Sequence, residues 1–390
     1  MRNLILSFLM FMAAYGVFPQ NFPIGHSTVY FIDPARGNRQ IPVEIYYPGV
    51  TAGSNVVVAN GKFPVISFGH GFMMTYNSYL YLKDSLVPLG YIIAFANSET
   101  GLLPSHLEFG KDLAFVLNQM KVEGTNPSSA YYNHIDSTSA IMGHSMGGGA
   151  SFLACENNTV PTVLVTLAAA ETNPSAIAAA SHIAIPSLVF SADEDCVTPP
   201  ATNQIPMYDS LQSSCKVFLN IKGGGHCYFA DYNLACSIGE ASCSTMIEIS
   251  RDQQHAAVID FLVPYLDYYL KNIPLAWTIF NDSLQNSQRI TFMKSCTTTG
   301  LNLLPADERF RVSPNPVHDQ LTLTYSNEKE KLSKIVLRSL TGVVLFSRQD
   351  NNLHGQATTE MDLSCFPAGA YLLEVTGRTG IISVLRVIKL

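Results

Sequence analysis

At 390 residues the chain is longer than one ordinary small domain and suits a large domain with a smaller companion. With 47% hydrophobic and only 14% charged residues it holds the material for a sizeable buried core, which excludes a disordered polypeptide. A net charge of −7 without any basic run excludes a nucleic-acid partner, because nothing could neutralise a phosphate backbone.

Residues 1–16 open Met1-Arg2-Asn3, continue through the mostly apolar 4–12 stretch and reach Ala14-Tyr15-Gly16, with small residues two apart. A charged start, a short apolar run and small residues at the end predict a cleaved signal peptide and an exported protein. The run is shorter than the ~20 residues of a membrane span. Later on, Ala169–Ala180 is broken by Glu171, Asn173 and Pro174, so no membrane span is expected in the mature chain. Eight cysteines in an exported chain predict disulfides. There is no CxxC pair and the histidines are scattered, so neither a metal site nor any cofactor is expected. Cys155 lies in an apolar helical stretch and reads as a buried free thiol.

From Ile41 to about Leu270 short apolar strands alternate with helices. The strands are Ile41–Tyr47, Pro64–Gly69, Tyr91–Asn97, Ser139–Gly143, Thr162–Leu167, Pro186–Ser191 and Cys215–Ile221. They are almost uniformly apolar, as strands covered on both faces should be. The helices are Tyr79–Leu89, Leu107–Met120, Met146–Cys155 and Gln253–Leu270, and the second carries a stripe of Leu107, Leu113, Val116 and Leu117. Such alternation predicts an α/β fold, a mostly parallel sheet with helices on both faces, over residues 22–296. After a turn-rich linker, 297–310, residues 311–390 change texture. Short strands at Leu321–Tyr325, Lys334–Leu340, Val343–Arg348, Thr358–Leu363, Ala370–Thr376 and Ile381–Ile388 alternate with turn formers at Ser326-Asn327, Thr341-Gly342, Asn351-Asn352 and Gly377–Gly380. They predict a small all-β sandwich. Ser313-Pro314-Asn315-Pro316, Leu340-Thr341-Gly342, Phe366-Pro367-Ala368-Gly369-Ala370-Tyr371 and the closing Arg386-Val387-Ile388-Lys389-Leu390 resemble the sorting domain of the type IX secretion system. That resemblance implies export across an outer membrane, with the secretion machinery as partner and a secreted or cell-surface destination.

The chemistry gathers around Gly143-His144-Ser145-Met146-Gly147, which follows a strand and opens a helix. A serine hydroxyl is a weak nucleophile, so it must project from a sharp turn where a base reaches it, and the flanking glycines let strand and helix come close. In this order of elements the acid and then the base come at the ends of later strands. His226, after Gly223-Gly224-Gly225 and the strand Cys215–Ile221, is the expected base; His182 and His255 fall in or near helical stretches. Asp195, four residues before Pro199, is favoured as acid over Asp193. An oxyanion would take one amide from Met146, at the helix start, and one from Phe72 in His70-Gly71-Phe72 after an earlier strand. His70 is expected to support that loop. Phe72 and His144 are the expected substrate contacts, with the Phe72 ring walling the acyl pocket.

These residues, with the glycine run to Gly149, make residues 22–296 resemble secreted α/β-hydrolases that include bacterial cutinases and polyester (PET) hydrolases, and esterases similar to platelet-activating-factor acetylhydrolase and chlorophyllase. The resemblance implies a serine carboxylic-ester hydrolase working through Ser145, His226 and Asp195. Only 18 residues, Ala168–Ile185, separate two strands where a helical cap would be inserted, so the cleft is expected to be open and suited to a bulky or polymeric ester. A plainer reading makes that segment an Ala-rich helix covering the sheet. Polyester hydrolases of this type usually carry an aromatic residue there, and this chain has Ala168-Ala169-Ala170-Glu171. An amidase or peptidase, a small-ester or lipid acetylhydrolase, and a non-catalytic surface binder share the same motifs. Cys196 and Cys227 adjoin the expected acid and base, which must meet, and are expected to pair as happens in some PET hydrolases; Cys236–Cys243 is expected as a local pair.

Overall fold

The computed structural model describes residues 21–244, 246–296, 310–339, 344–367, 369–377 and 380–389. The expected signal peptide and all but the last residue of the expected linker lie outside the described residues. Two compact units result, one within residues 21–296 and one within 310–389.

The larger unit is built on ten strands: β1 (Ile24–Asp33), β2 (Arg39–Pro48), β3 (Gly53–Ser54), β4 (Phe63–Gly69), β5 (Ile92–Ala96), β6 (Ile135–His144), β7 (Val163–Leu167), β8 (Ser187–Ala192), β9 (Cys215–Ile221) and β10 (Ile290–Cys296). They form one sheet in the order β10-β9-β8-β7-β6-β4-β5-β2-β1-β3. The run from β5 through β9 is parallel, while β2 and β10 join it antiparallel. Helices α1 (Leu80–Leu86), α2 (His106–Thr125), α3 (Met146–Cys155), α4 (Ala176–Ala180), α5 (Gln204–Ser210), α6 (Leu234–Glu240), α7 (Arg251–Lys271) and α8 (Pro274–Asn286) lie between or after the strands.

Alternation along each strand explains its uniform apolarity. Ile66 and Phe68 enter a core with Leu82 of α1 and Phe261 of α7, whereas Val65 enters a second core with Leu113 of α2 and Phe152 of α3. Val163 and Val165 divide from Leu164 in the same way, as do Leu188 and Phe190 from Val189. The stripe on α2 differs from expectation at one end: Leu107 is exposed and Phe109 is buried instead, because Phe109, four residues before Leu113, shares its face while Leu107, six before it, points away. Helix α4 is the Ala-rich segment, and its Ala176, Ala179 and Ala180 are buried in the second core. The connection from β7 to β8 is therefore a cover for the sheet, with no cap inserted.

The smaller unit comprises β11 (Phe310–Ser313), β12 (Gln320–Ser339), β13 (Val344–Asp362), β14 (Gly369–Gly377) and β15 (Gly380–Lys389), all antiparallel. Ser326-Asn327 and Asn351-Asn352 do not turn the chain as expected. Ser326 and Asn327 pair with Gln356 and Gly355, Asn351-Asn352 lies within β13, and a register shift between Asn327 and Leu332 absorbs the irregularity. Leu321, Leu323 and Tyr325 from one half of β12 and Ile335 and Leu337 from the other enter a single core. Among the described residues no helix is long and apolar enough to cross a membrane.

Candidate active site

Backbone contact builds the serine turn. Between β6 and α3, Ser145 stands at φ 54°, ψ −119°, a costly conformation for a residue with a Cβ. Its N–H donates to Leu167 O at 3.0 Å, and its carbonyl accepts from Gly149 and Ala170. A Cβ on Gly143 would stand 2.3 Å from Gly147 O, and one on Gly147 would stand 2.2 Å from Gly69 O. Strand, helix and the end of β4 touch so closely that only glycine fits.

Three elements then deliver the titratable groups. Ser145 Oγ lies 2.9 Å from His226 Nε2, and His226 Nδ1 lies 2.8 Å from Asp195 Oδ2. Asp195 Oδ1 accepts from the amides of Val197 and Thr198 at 2.9 and 2.8 Å. Since the carboxylate can only accept, Nδ1 carries the imidazole proton and Nε2 turns a lone pair to the serine. Asp195 and His226 are buried, and Ser145 retains 9% exposure. Asp193 serves elsewhere: its Oδ1 accepts Gly223 N–H at 2.6 Å and closes the turn ahead of the histidine loop. Gln254 of α7 grips Gly225 twice, accepting from its amide at 3.0 Å and donating to its carbonyl at 2.9 Å.

On the other side of the serine, Gly71 N–H donates to the Tyr79 hydroxyl at 2.8 Å, so that amide is taken. The next amide, Phe72, and the first of α3, Met146, hold no partner among the described residues. The Phe72 side chain is 46% exposed. His70 is buried between Gly71 O at 2.8 Å and Ser98 O at 2.7 Å, the loop-supporting place expected of it.

His144 departs from its expected role at the substrate. It is fully buried beneath the serine, with Nδ1 at 2.8 Å from the Tyr79 hydroxyl and Nε2 at 3.1 Å from the carbonyl of His226. Burial, and then repulsion from His226 whenever both rings would be charged, push it well below the usual histidine range. A residue that immediately precedes Ser145 on a strand must point to the opposite face, which here is core. Tyr79 and His144 thus tie the Gly71 loop, the serine turn and the His226 backbone together.

The disulfides correct the expected pairing. Cys196 joins Cys243, and Cys227 joins Cys236, rather than Cys196–Cys227 and Cys236–Cys243. Asp195 and His226 converge, but the residues after them leave along diverging paths, Cys227 into a short helical turn over Cys227–Phe229, and each meets the segment around α6. Cys215 and Cys296 face each other in register across β9 and β10, a pair invisible before β10 is located. Cys155 is free and buried, as expected.

Sequence reasoning missed Tyr79, Thr198, Gln204 and Gln254, polar side chains buried around the site. Thr198 alone carried a signal, since it lies inside the Asp195 to Pro199 turn. Among the described residues no cluster of three or more His, Cys, Asp or Glu could hold a metal ion.

The chain is similar in sequence to known proteins. The model of the PET hydrolase-like family matches residues 41–256, and that of the secretion system C-terminal sorting domain matches residues 311–389. Cutinase 1 of Thermobifida cellulosilytica is 28% identical over 184 residues, 47% of this chain and 64% of that protein. The cutinase of Thermobifida fusca is 28% identical over the same length, covering 56% of that protein. A bis(hydroxyethyl) terephthalate hydrolase of Streptomyces coelicolor is 27% identical over 184 residues, 47% of this chain and 54% of that protein. The match spans less than two thirds of each of these relatives. The sorting domain marks this as a secreted or cell-surface protein.

Proposed function

This chain belongs to the PET hydrolase-like family, and from that premise we propose that it hydrolyses carboxylic esters through an acyl-enzyme on Ser145. The observation that carries the reading is the unbroken relay from Ser145 Oγ through His226 to Asp195. In the forward step His226 Nε2 takes the hydroxyl proton as Oγ bonds to the ester carbonyl carbon. The oxyanion that forms is held by the amides of Phe72 and Met146, the latter at the positive end of α3. The tetrahedral intermediate collapses, the alcohol leaves with the proton from His226, and the acyl group remains on Oγ. Water, activated by the same nitrogen, then releases the acid and restores the serine.

The substrate is proposed to be a bulky or polymeric ester. Two observations support it: the β7–β8 connection has no cap, and one relative is named for hydrolysing a terephthalate ester. The Phe72 ring offers an apolar wall, while Ala168-Ala169-Ala170 supplies no aromatic ring opposite. The type IX secretion machinery is the proposed partner of the C-terminal unit.

Hydrolysis of p-nitrophenyl butyrate and of a polyester film tests the reading, with Ser145→Ala as control. We expect Ser145→Ala to lose at least about a thousandfold in kcat and all labelling by a fluorophosphonate. An Ala variant as active as the parent would remove Ser145 from the mechanism.

A further inference from the structure

Asp195 and His226 share a third partner. Thr198 Oγ1 lies 2.8 Å from Asp195 Oδ2, 3.1 Å from His226 Nδ1, 3.0 Å from Gln204 Nε2 and 3.2 Å from Ala168 O. All four side chains or carbonyls are buried. Proton counting gives the directions. Gln204 Nε2 also donates to Ala169 O at 2.6 Å, which fixes the amide with its nitrogen toward Thr198. An amide nitrogen only donates, so Thr198 Oγ1 accepts there and has one proton left to give. Aimed at Ala168, that proton would leave hydroxyl and carboxylate lone pairs facing each other at 2.8 Å. Aimed at Asp195, it makes a charge-assisted bond, and the carboxylate then accepts four bonds, two on each oxygen.

We propose that Thr198, oriented by Gln204, is a positioning residue for the His226 base; the proposal rests on the ester-hydrolase reading above. The hydroxyl holds Oδ2 in line with the imidazole, and its remaining lone pair faces the Nδ1 proton. That proton therefore lies between two acceptors and the tautomer stays correct. The same network closes behind the serine, because Gln204 binds Ala169 and the adjacent Ala170 N–H donates to Ser145 O. The acid, the base and the nucleophile backbone are thereby tied by one hydroxyl and one amide.

A consequence for pH dependence follows. Hydroxyl donation draws charge from Oδ2, so its loss leaves more negative charge against Nδ1 and favours the imidazolium. The charged or titratable groups around His226 are Asp195, His144, whose ring lies 4.8 Å away and is kept neutral by burial, and Glu240 and Arg251, which bond the backbone of the next residue, Cys227. Of these only Asp195 bonds the imidazole and Thr198. Asp195 is thus the charge that Thr198 modulates.

The test compares Thr198→Val, which keeps the shape without the hydroxyl, with Thr198→Ser, which keeps the hydroxyl. Activity on p-nitrophenyl butyrate is measured across the pH range and normalised to fluorophosphonate-titrated sites. Thr198→Val is expected to lose about tenfold in kcat with KM nearly unchanged, and its acidic limb should move to higher pH. Thr198→Ser should stay within about twofold with its profile unmoved. A valine variant equal to the parent overturns the proposal, as do equal losses in both variants with an unmoved profile, which would mark a packing role. If the valine variant does not fold, Gln204→Leu carries the test: it should move the acidic limb the same way by less, and an unmoved limb overturns the proposal. A parent without Ser145-dependent activity would defeat the esterase reading itself; an active parent with an indifferent Thr198→Val defeats only this inference.

Discussion

The serine side and the acid–base side of the site are held rigid by different means. Around Ser145 the chain uses backbone contact, with Gly143 and Gly147 pressed against neighbouring carbonyls and Tyr79 and His144 buried beneath. None of the disulfides among the described residues reaches this side. Around Asp195 and His226 the loops are long and two disulfides staple them, Cys196–Cys243 and Cys227–Cys236, both ending in the segment around α6. The serine turn is short and packed between strand and helix, so its geometry follows from sterics. The acid and base lie on longer loops away from the strand–helix junction, and covalent links add to their packing. One side should therefore fail by overcrowding and the other by loosening.

Overcrowding should give the largest effect. Gly147→Ala places a methyl 2.2 Å from Gly69 O and 2.6 Å from His70 O, and both are backbone atoms that cannot step aside. The amides of Phe72 and Met146 flank this contact. We expect a loss of at least about a hundredfold in kcat/KM and of most fluorophosphonate labelling. Gly239→Ala in α6, where nothing lies within 4 Å, is the matched control and should be neutral or slightly stabilising. Near-normal activity in Gly147→Ala would mean that the serine side is more compliant than its contacts imply.

Loosening should be milder. Removing the Cys196–Cys243 link with a double serine substitution should cost about 2–4 kcal/mol of stability. It should also lower kcat several-fold, roughly, as the acid loop loses its tether. The Cys215–Cys296 link joins an edge strand to its neighbour, remote in the fold from both loops. Its removal should lower the unfolding midpoint while leaving kcat near the parent value. Equal kinetic effects from the two removals would show that the staple acts only on global stability.

Sequence reading reached these two sides unequally, for the same physical reason. The serine turn is local: glycine, strand and helix adjoin in sequence, and Ser145, His226 and Asp195 each follow a strand, so order and spacing expose them. The parallel core was legible because its strands are apolar on both faces. Strands β1 and β10 were missed, being partly exposed and mixed in polarity without the uniform apolarity of the core strands, and without β10 the Cys215–Cys296 pair could not be seen. The disulfide staples failed because pairing depends on where +1 residues point once two loops have met. Tyr79, Gln204 and Gln254 are single side chains meeting the site across the fold, and no local pattern marks them; Thr198 lay within the Asp195 to Pro199 turn, but nothing in the turn shows that its hydroxyl faces both acid and base. His144 was misjudged through its neighbour, since adjacency to Ser145 along a strand puts its ring on the other face.

That buried ring gives the finest way to separate the two sides, because disulfides do not titrate and His144 does. In the folded protein its Nδ1 accepts from the Tyr79 hydroxyl and burial holds it well below the ordinary histidine value of 6.5. An unfolded chain takes up this proton near pH 6.5, and the native one refuses it. Between the lowered native value and 6.5 the unfolded state binds more protons, so stability rises with pH through that window and is lost as pH falls below about 6.5. His70 and His255, lowered mainly by burial, add to the same slope. Denaturant unfolding of the parent and of His144→Gln, from neutral to mildly acidic pH, should show the parent losing stability faster. One group contributes a slope difference of at most about 1.4 kcal/mol per pH unit. The glutamine amide in that variant can still accept from Tyr79 and donate to the His226 carbonyl, so the packing is retained while the proton site is removed. Identical slopes would mean that His144 is protonated as readily in the native fold as outside it, and that the serine side is wetter than its packing describes.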